Sequence, residues 1–281
     1  MTTGSVDTVK ELRERTGAGM MDCKAALKES GGDIEKAIDV LRKKGMAQAA
    51  KRAGREAKEG LIVARIDGKK AAMVEANCET DFVARTDDFK GLALSALEAV
   101  LAQDESALSS EKLIDRIAEL SGKIGEKILL RRAKILQSPE GALFYYIHSN
   151  QKLGVVVELS ITKPQNKKHA LLEELGKNLA MQVAASNPFC IRREQMPSVV
   201  LEREKAIFKE EIKGKPENIL EKIVQGKLEK FYQGSCLLEQ PFIKDDKISV
   251  KKLVEEVSLK IGDRVEVKQF VRYQLGENEK N

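Results

Sequence analysis

Apolar positions in the first forty-five residues recur at helical spacing. Val9 and Leu12 mark the inward face of a first helix, which Thr8 and Glu11 are placed to open as a capping box. Thr16-Gly17-Ala18-Gly19 breaks that helix, because glycine tolerates the positive φ of a tight exit. Met21, Ala25 and Leu27 begin a second helix, closed by Ser30-Gly31-Gly32. Asp33 caps a third, in which Ile34, Ala37, Ile38 and Leu41 follow an i, i+3, i+4, i+7 pattern that Gly45 ends. The pattern predicts a three-helix module over 1–45, small enough to be only moderately stable alone. Residues 46–59 are Ala- and Lys-rich with Gly54 interrupting, and read as a helical, basic linker.

From Gly60 the texture changes to alternating β-branched positions, and an internal repeat emerges. Glu59-Gly60 and the six residues after it match Glu140-Gly141 and the six after that, an offset of 81. After a two-residue insertion, Val74-Glu75-Ala76 meets Val157-Glu158-Leu159, and Phe89, Leu92, Ala96 and Val100 meet Leu172, Leu175, Leu179 and Val183. The ends match too: Ile124-Gly125-Glu126-Lys127-Ile128 pairs with Ile261-Gly262-Asp263-Arg264-Val265. Each copy therefore reads strand, turn, strand, helix, then a closing helix, an Ile-Gly turn and a strand (127–136 and 264–274). The fold class is α+β, with core subdomain 1 over 60–139 and core subdomain 2 over 140–188 and 236–275. The second copy carries roughly fifty extra residues. Val199 to Lys213 and Asn218 to Phe231 are long charged helical patterns joined by Gly214-Lys215-Pro216, so 189–235 is predicted to be an antiparallel helical hairpin. A short tail, 276–281, remains.

Candidate chemistry is sparse. His148 and His169 are the two histidines, and Cys23, Cys78, Cys190 and Cys236 are too far apart in sequence for a zinc motif, so no metal site is expected. The same spread favours reduced thiols over a disulfide framework. Gly17-Ala18-Gly19 follows a helix instead of a strand and lacks a third glycine, and no P-loop is present, which argues against nucleotide binding by the chain itself. Cys78 has no histidine close in sequence to activate it and reads as a buried strand-end residue. His148 falls at the turn His148-Ser149-Asn150-Gln151, where it faces a partner or solvent. No apolar run reaches the ~18–20 residues of a membrane span, and the N-terminus lacks a signal-peptide pattern, so a cytoplasmic location is expected. Net charge is +5, and residues 42–58 carry seven basic side chains against Glu56 alone, accounting for the whole excess. Without interleaved aromatics this stretch is a weak nucleic-acid signal, and a solvated basic helix is the plainer reading.

The sharpest feature is Thr80-Asp81-Phe82-Val83, after the second strand of copy one. Copy two has Thr162-Lys163-Pro164-Gln165-Asn166 there, so the duplicated fold does not demand an Asp-Phe pair. A loop phenylalanine needs a pocket, either in its own core or in a partner.

Val9 through Lys24, Thr80 through Val83, Gly214 through Ile219 and Cys236 through Phe242 together resemble the elongation factor Ts family, in order and along essentially the whole chain. The resemblance implies a guanine nucleotide exchange factor for elongation factor Tu, with no cofactor, no bound metal and no catalytic residues. It implies a UBA-like N-terminal module, a core of two related subdomains and a dimerisation-type helical hairpin. In many members a further helix follows; here Gly276 to Asn281 follow the last predicted strand. By resemblance, Thr80, Asp81, Phe82 and Val83 form the segment that dislodges Mg²⁺ from the partner. Arg13, Met20, Met21 and Lys24 dock the N-terminal module, and Ile124, Gly125 and His148 are weaker core contacts. Two alternatives stand beside this reading: a ubiquitin-like or peptide-binding module on a dimeric scaffold, and a ribosome- or RNA-associated protein using the basic stretch.

Overall fold

The computed structural model describes residues 6–212 and 217–277. Three helices open the chain: α1 (Val6–Thr16), α2 (Met20–Glu29) and α3 (Ile34–Arg52). They close on Leu12, Cys23, Ala26, Leu27 and Ala37, with Val9, Ile34, Ile38 and Leu41 at the margin. Helix α1 starts at Val6, so Thr8 lies inside the helix and is not its cap. The expected break is present: Gly17 takes φ +67°, and the Thr16 hydroxyl donates to Leu12 O at 2.7 Å. Ala25 is exposed; Cys23 and Ala26 take the inward positions of α2.

Gly45 does not end the third helix. Helix α3 runs through it to Arg52, and the chain enters β1 (Glu59–Asp67) only seven residues later, so the basic stretch is helical only in its first half. Gly45 is buried against α6 (Glu111–Ile124), where an added Cβ would lie 3.2 Å from Ala118 O, and a Cβ at Gly122 would lie 3.5 Å from the Gly45 Cα. Two glycines facing one another let the helix backbones approach closely, which outweighs the ~1 kcal/mol that a mid-helix glycine costs. Four of the basic residues are paired within the chain: at the surface Arg42 pairs with Asp115, Lys44 with Asp22 and Arg55 with Glu79, while Arg52 donates to Ser121 O at 3.1 Å.

The core is two copies of one unit. Copy one comprises β1, β2 (Lys70–Cys78), a short turn of helix α4 (Asp81–Ala84), α5 (Asp87–Ala102), α6 and β3 (Ile128–Gln137), with antiparallel sheet order β1-β2-β3. Copy two comprises β4 (Ala142–Ile147), β5 (Leu153–Ser160), α7 (Ala170–Ser186), the insertion helices α8 (Ser198–Glu211) and α9 (Glu217–Ser235), the short strands β6 (Pro241–Phe242) and β7 (Asp245–Ser249), α10 (Val250–Ile261) and β8 (Glu266–Gln274). Its main sheet has order β4-β5-β8. The central strands carry the same β-bulge, after Glu75 in one copy and after Glu158 in the other. The joint Gly214-Lys215-Pro216 lies outside the described residues, while α8 and α9 occupy the expected hairpin positions.

Side-chain alternation builds four layers. Leu61, Val63, Ala72, Val74 and Ala76 face α5 and α6, whereas Ile62, Ala71 and Met73 face Val156 and Tyr273 of the other sheet. Copy two repeats this, with Val155, Val157 and Leu159 packed on α7 and α10. Strand β2, covered on both faces, is correspondingly rich in small and apolar residues. Gly154 permits the sheet-to-sheet approach, since a Cβ there would meet Ile62, Ile147 and Met73 within 2.8 Å. Arg132 seals the seam, bonding buried Glu75 at 2.7 Å and stacking 4.1 Å over the Tyr273 ring.

Candidate partner-binding site

The Thr80–Val83 segment is a rigid projection. Thr80 caps α4, its hydroxyl accepting from Val83 N at 3.4 Å and donating to Glu126 Oε1 at 2.7 Å. Glu126 Oε2 also accepts from the backbone N–H groups of Glu79 and Thr80, at 3.1 and 3.0 Å. Glu79 answers by accepting from Lys127 N at 2.6 Å and from Arg55 at 3.2 Å; the Lys127 N–H bond leads in holding its carboxyl below the ordinary range. Gly125 makes the join possible, ending α6 in the left-handed conformation at φ 86°, ψ 6°.

Within this frame Phe82 and Val83 part company. Val83 is 6% exposed and belongs to the core of copy one, while Phe82 is 78% exposed. Val83 therefore anchors the turn and Phe82 is held out from it. Leaving a phenylalanine in water forgoes ~1.5–3 kcal/mol of burial, which a partner's pocket would recover. Asp81 pairs with Arg85 at 2.7 Å, an i, i+4 contact at the surface. Asp81, Arg85 and Lys90 line a cleft of about 340 Å³ whose far wall is the 149–152 turn, and Gln151 O accepts from Ile62 N at 2.7 Å to fix that turn against β1. His148 opens the same turn, exposed, with Tyr146 Oη 2.8 Å from its Nδ1.

The structure thus brings Thr80–Val83, Gly125 and the His148 turn onto one region of the core, with Ile124 half-buried behind Gly125 and packed on the core of copy one. Arg13, Met20, Met21 and Lys24 lie apart from it, all exposed on the N-terminal module, with Met20 at 53% and Met21 at 75%. The two regions connect through Lys123, whose stem lies beside Gly17 and whose Nζ bonds Asp88 at 2.8 Å, at the start of α5. Cys78 sits directly under the projection, buried and donating to Thr80 O at 3.1 Å; burial, with Glu126 and Glu59 nearby, pushes its thiol up to about 12. Packed into the core of copy one with no second thiol beside it, Cys78 serves as a packing group under the turn.

The family model for Elongation factor TS matches residues 79–277. That span begins at the Glu79–Thr80 clamp and takes in both closing strands. The chain belongs to the elongation factor Ts family.

Elongation factor Ts of Prosthecochloris aestuarii is 49% identical over 97% of this chain and 98% of that protein. Elongation factor Ts of Aquifex aeolicus is 45% identical over 97% and 98%, and that of Nitratidesulfovibrio vulgaris 45% over 96% and 95%. Membership of the elongation factor Ts family carries a role in translation elongation and implies binding to elongation factor Tu. Among the described residues no helix is long and apolar enough to cross a membrane. Sequence reasoning passes over Glu126, although a signal for it exists. An acid recurs at this position of the duplicated Ile-Gly turn, where Asp263 accepts from Thr162 N at 3.0 Å and Lys163 N at 3.1 Å, the counterparts of Glu79 N and Thr80 N. An acid kept in both copies is one the loop needs.

Proposed function

We propose that this chain is a cytoplasmic guanine nucleotide exchange factor that binds the GDP form of elongation factor Tu and promotes GDP release, without binding nucleotide itself. In this reading Asp81 and Phe82 are the wedge, carried on Thr80 and Val83, and they disturb the partner's Mg²⁺ and phosphate site. Arg13, Met20, Met21 and Lys24 hold the partner through the N-terminal module, with Ile124, Gly125 and His148 as secondary core contacts. The 189–235 hairpin serves self-association. The observation that carries the proposal is the exposed Phe82 on a turn fixed from both sides, by Glu126 and by buried Val83.

A nucleotide-binding partner holds GDP through a phosphate cradle and Mg²⁺, so displacing either weakens the nucleotide. A side chain that merely inserts can do this, provided the turn behind it does not yield. Burying Phe82 is worth ~1.5–3 kcal/mol, and each ~1.4 kcal/mol is tenfold in an equilibrium. The coupling is reciprocal: whatever factor the chain takes from GDP affinity, GDP takes from the chain's affinity. The acidic and backbone partners of Arg42, Lys44, Arg52 and Arg55 offset part of the basic stretch's charge, which favours this reading over a ribosome-associated one.

The test is stopped-flow release of a fluorescent GDP analogue from elongation factor Tu. Release that accelerates with chain concentration, together with GDP weakening chain binding by the same equilibrium factor, supports the proposal. No acceleration at any concentration overturns it.

A further inference from the structure

Cys190 and Cys236 are 46 positions apart in sequence, yet their sulfurs lie 3.6 Å from each other. Cys190 stands just ahead of the helical hairpin and Cys236 directly follows α9, so the two residues are its feet. Their backbones already form a parallel bridge, with Leu237 N donating to Cys190 O at 2.9 Å and Phe189 N to Ser235 O at 2.8 Å. Bridged residues have Cα atoms roughly 5 Å apart, inside the ~4.4–6.8 Å that a disulfide spans. Both thiols are free, and closing the sulfurs to ~2.05 Å calls for side-chain rotation, not backbone movement.

We propose that Cys190 and Cys236 are a modification site: a dithiol that a hydroperoxide converts reversibly into an intramolecular disulfide stapling the feet of the hairpin. Cys190 is 8% exposed and Cys236 fully buried, and Arg192 and Leu238, two residues beyond each, line a solvent cavity of about 710 Å³. A small oxidant therefore reaches Cys190 first. Burial raises both thiols, Cys236 to about 12, while the Cys236 S–H supports the Cys190 thiolate. The Cys190 thiolate attacks one peroxide oxygen; the O–O bond breaks and hydroxide leaves, taking a proton to become water. The resulting sulfenic acid is attacked by Cys236, whose proton leaves with the expelled hydroxide as a second water. Two thiols have then lost two electrons and one peroxide has gained them. Cys78 is buried under the Thr80 turn and Cys23 inside the N-terminal module, each without a second thiol beside it.

The closed ring takes in the whole hairpin, and such a constraint acts mainly by restricting the unfolded chain. The experiment treats the full chain with hydrogen peroxide, alkylates under denaturing conditions and maps peptides without reduction. The expected result is a 190–236 cross-linked peptide, reversed by dithiothreitol, and a thermal midpoint a few degrees higher in the oxidised form. Cys236→Ser is expected to stop at a sulfenic acid on Cys190, trapped by dimedone, and Cys23→Ser/Cys78→Ser to cross-link as the parent does. Four fully alkylated cysteines after peroxide, or scrambled and intermolecular pairs, would overturn the site. An oxidised midpoint no higher than the reduced one would overturn the staple.

Discussion

Glu126 holds Thr80 by two hydrogen bonds, from its hydroxyl at 2.7 Å and its N–H at 3.0 Å, and accepts a third from the preceding N–H of Glu79 at 3.1 Å. The exposed Phe82 is therefore backed by the end of α6 and not by a free loop. Replacing Glu126 with alanine leaves two backbone donors without their acceptor, at a cost of ~1–3 kcal/mol. Glu126→Ala is expected to lower the urea midpoint and, with Phe82 still present, to slow GDP release from elongation factor Tu. An exchange rate equal to the parent's would mean that the turn need not be rigid.

Asp263 performs the same service in copy two. Burial opposes its ionisation, but hydrogen bonds from Thr162, Asn166 and the backbone N–H groups of Thr162 and Lys163 outweigh it and hold the carboxyl at about 2, against an ordinary 3.8. The folded value is the lower one, so the stability it contributes is complete above about pH 4 and is lost as pH falls through 2. Asp263→Asn should be less stable than the parent at pH 6 and should lose less between pH 4 and pH 2. Denaturant midpoints across that range check it, and parallel curves would contradict it.

The copies fill their cores differently. Gly176 of α7 packs flat against the Phe144 ring, and an added Cβ would overlap the ring carbons. At the repeat-equivalent positions copy one has Ala93 and Val63, both in its core. Gly176→Ala is expected to destabilise by ~1–3 kcal/mol through overpacking. Adding Phe144→Val should recover part of that loss, a non-additivity of neighbours that equilibrium unfolding of the three variants measures.

Gly45→Val should separate the N-terminal module from the core, since even a methyl at Gly45 would press on Ala118 O. The expected readout is limited proteolysis between residues 53 and 58 severalfold faster than in the parent, with the core fragment intact. Unchanged cleavage would show that the α3–α6 contact does not depend on this glycine.

These contrasts mark what the chain's pattern makes legible. The duplication is plain, because strand and helix periodicities survive in both copies, and the extra length of the second locates the hairpin. Gly45 misleads, since a glycine that ends a helix and one that admits a neighbouring helix look alike until α6 is placed beside it. Phe82 and Val83 are adjacent apolar letters, and only the geometry of the capped turn sends one inward and the other out. Cys190 and Cys236 carry no signal of nearness, because the hairpin that separates them in sequence is what brings its own feet together.

The most direct test of the central claim is GDP release from elongation factor Tu driven by Phe82→Ala, with circular dichroism and a urea titration alongside. Phe82 is 78% exposed, so stability should stay within ~0.5 kcal/mol of the parent. The expected result is exchange reduced by about 10- to 100-fold with the fold intact, the equivalent of the ~1.5–3 kcal/mol that burying a phenylalanine supplies. Exchange at the parent's rate from a folded Phe82→Ala chain would contradict the wedge.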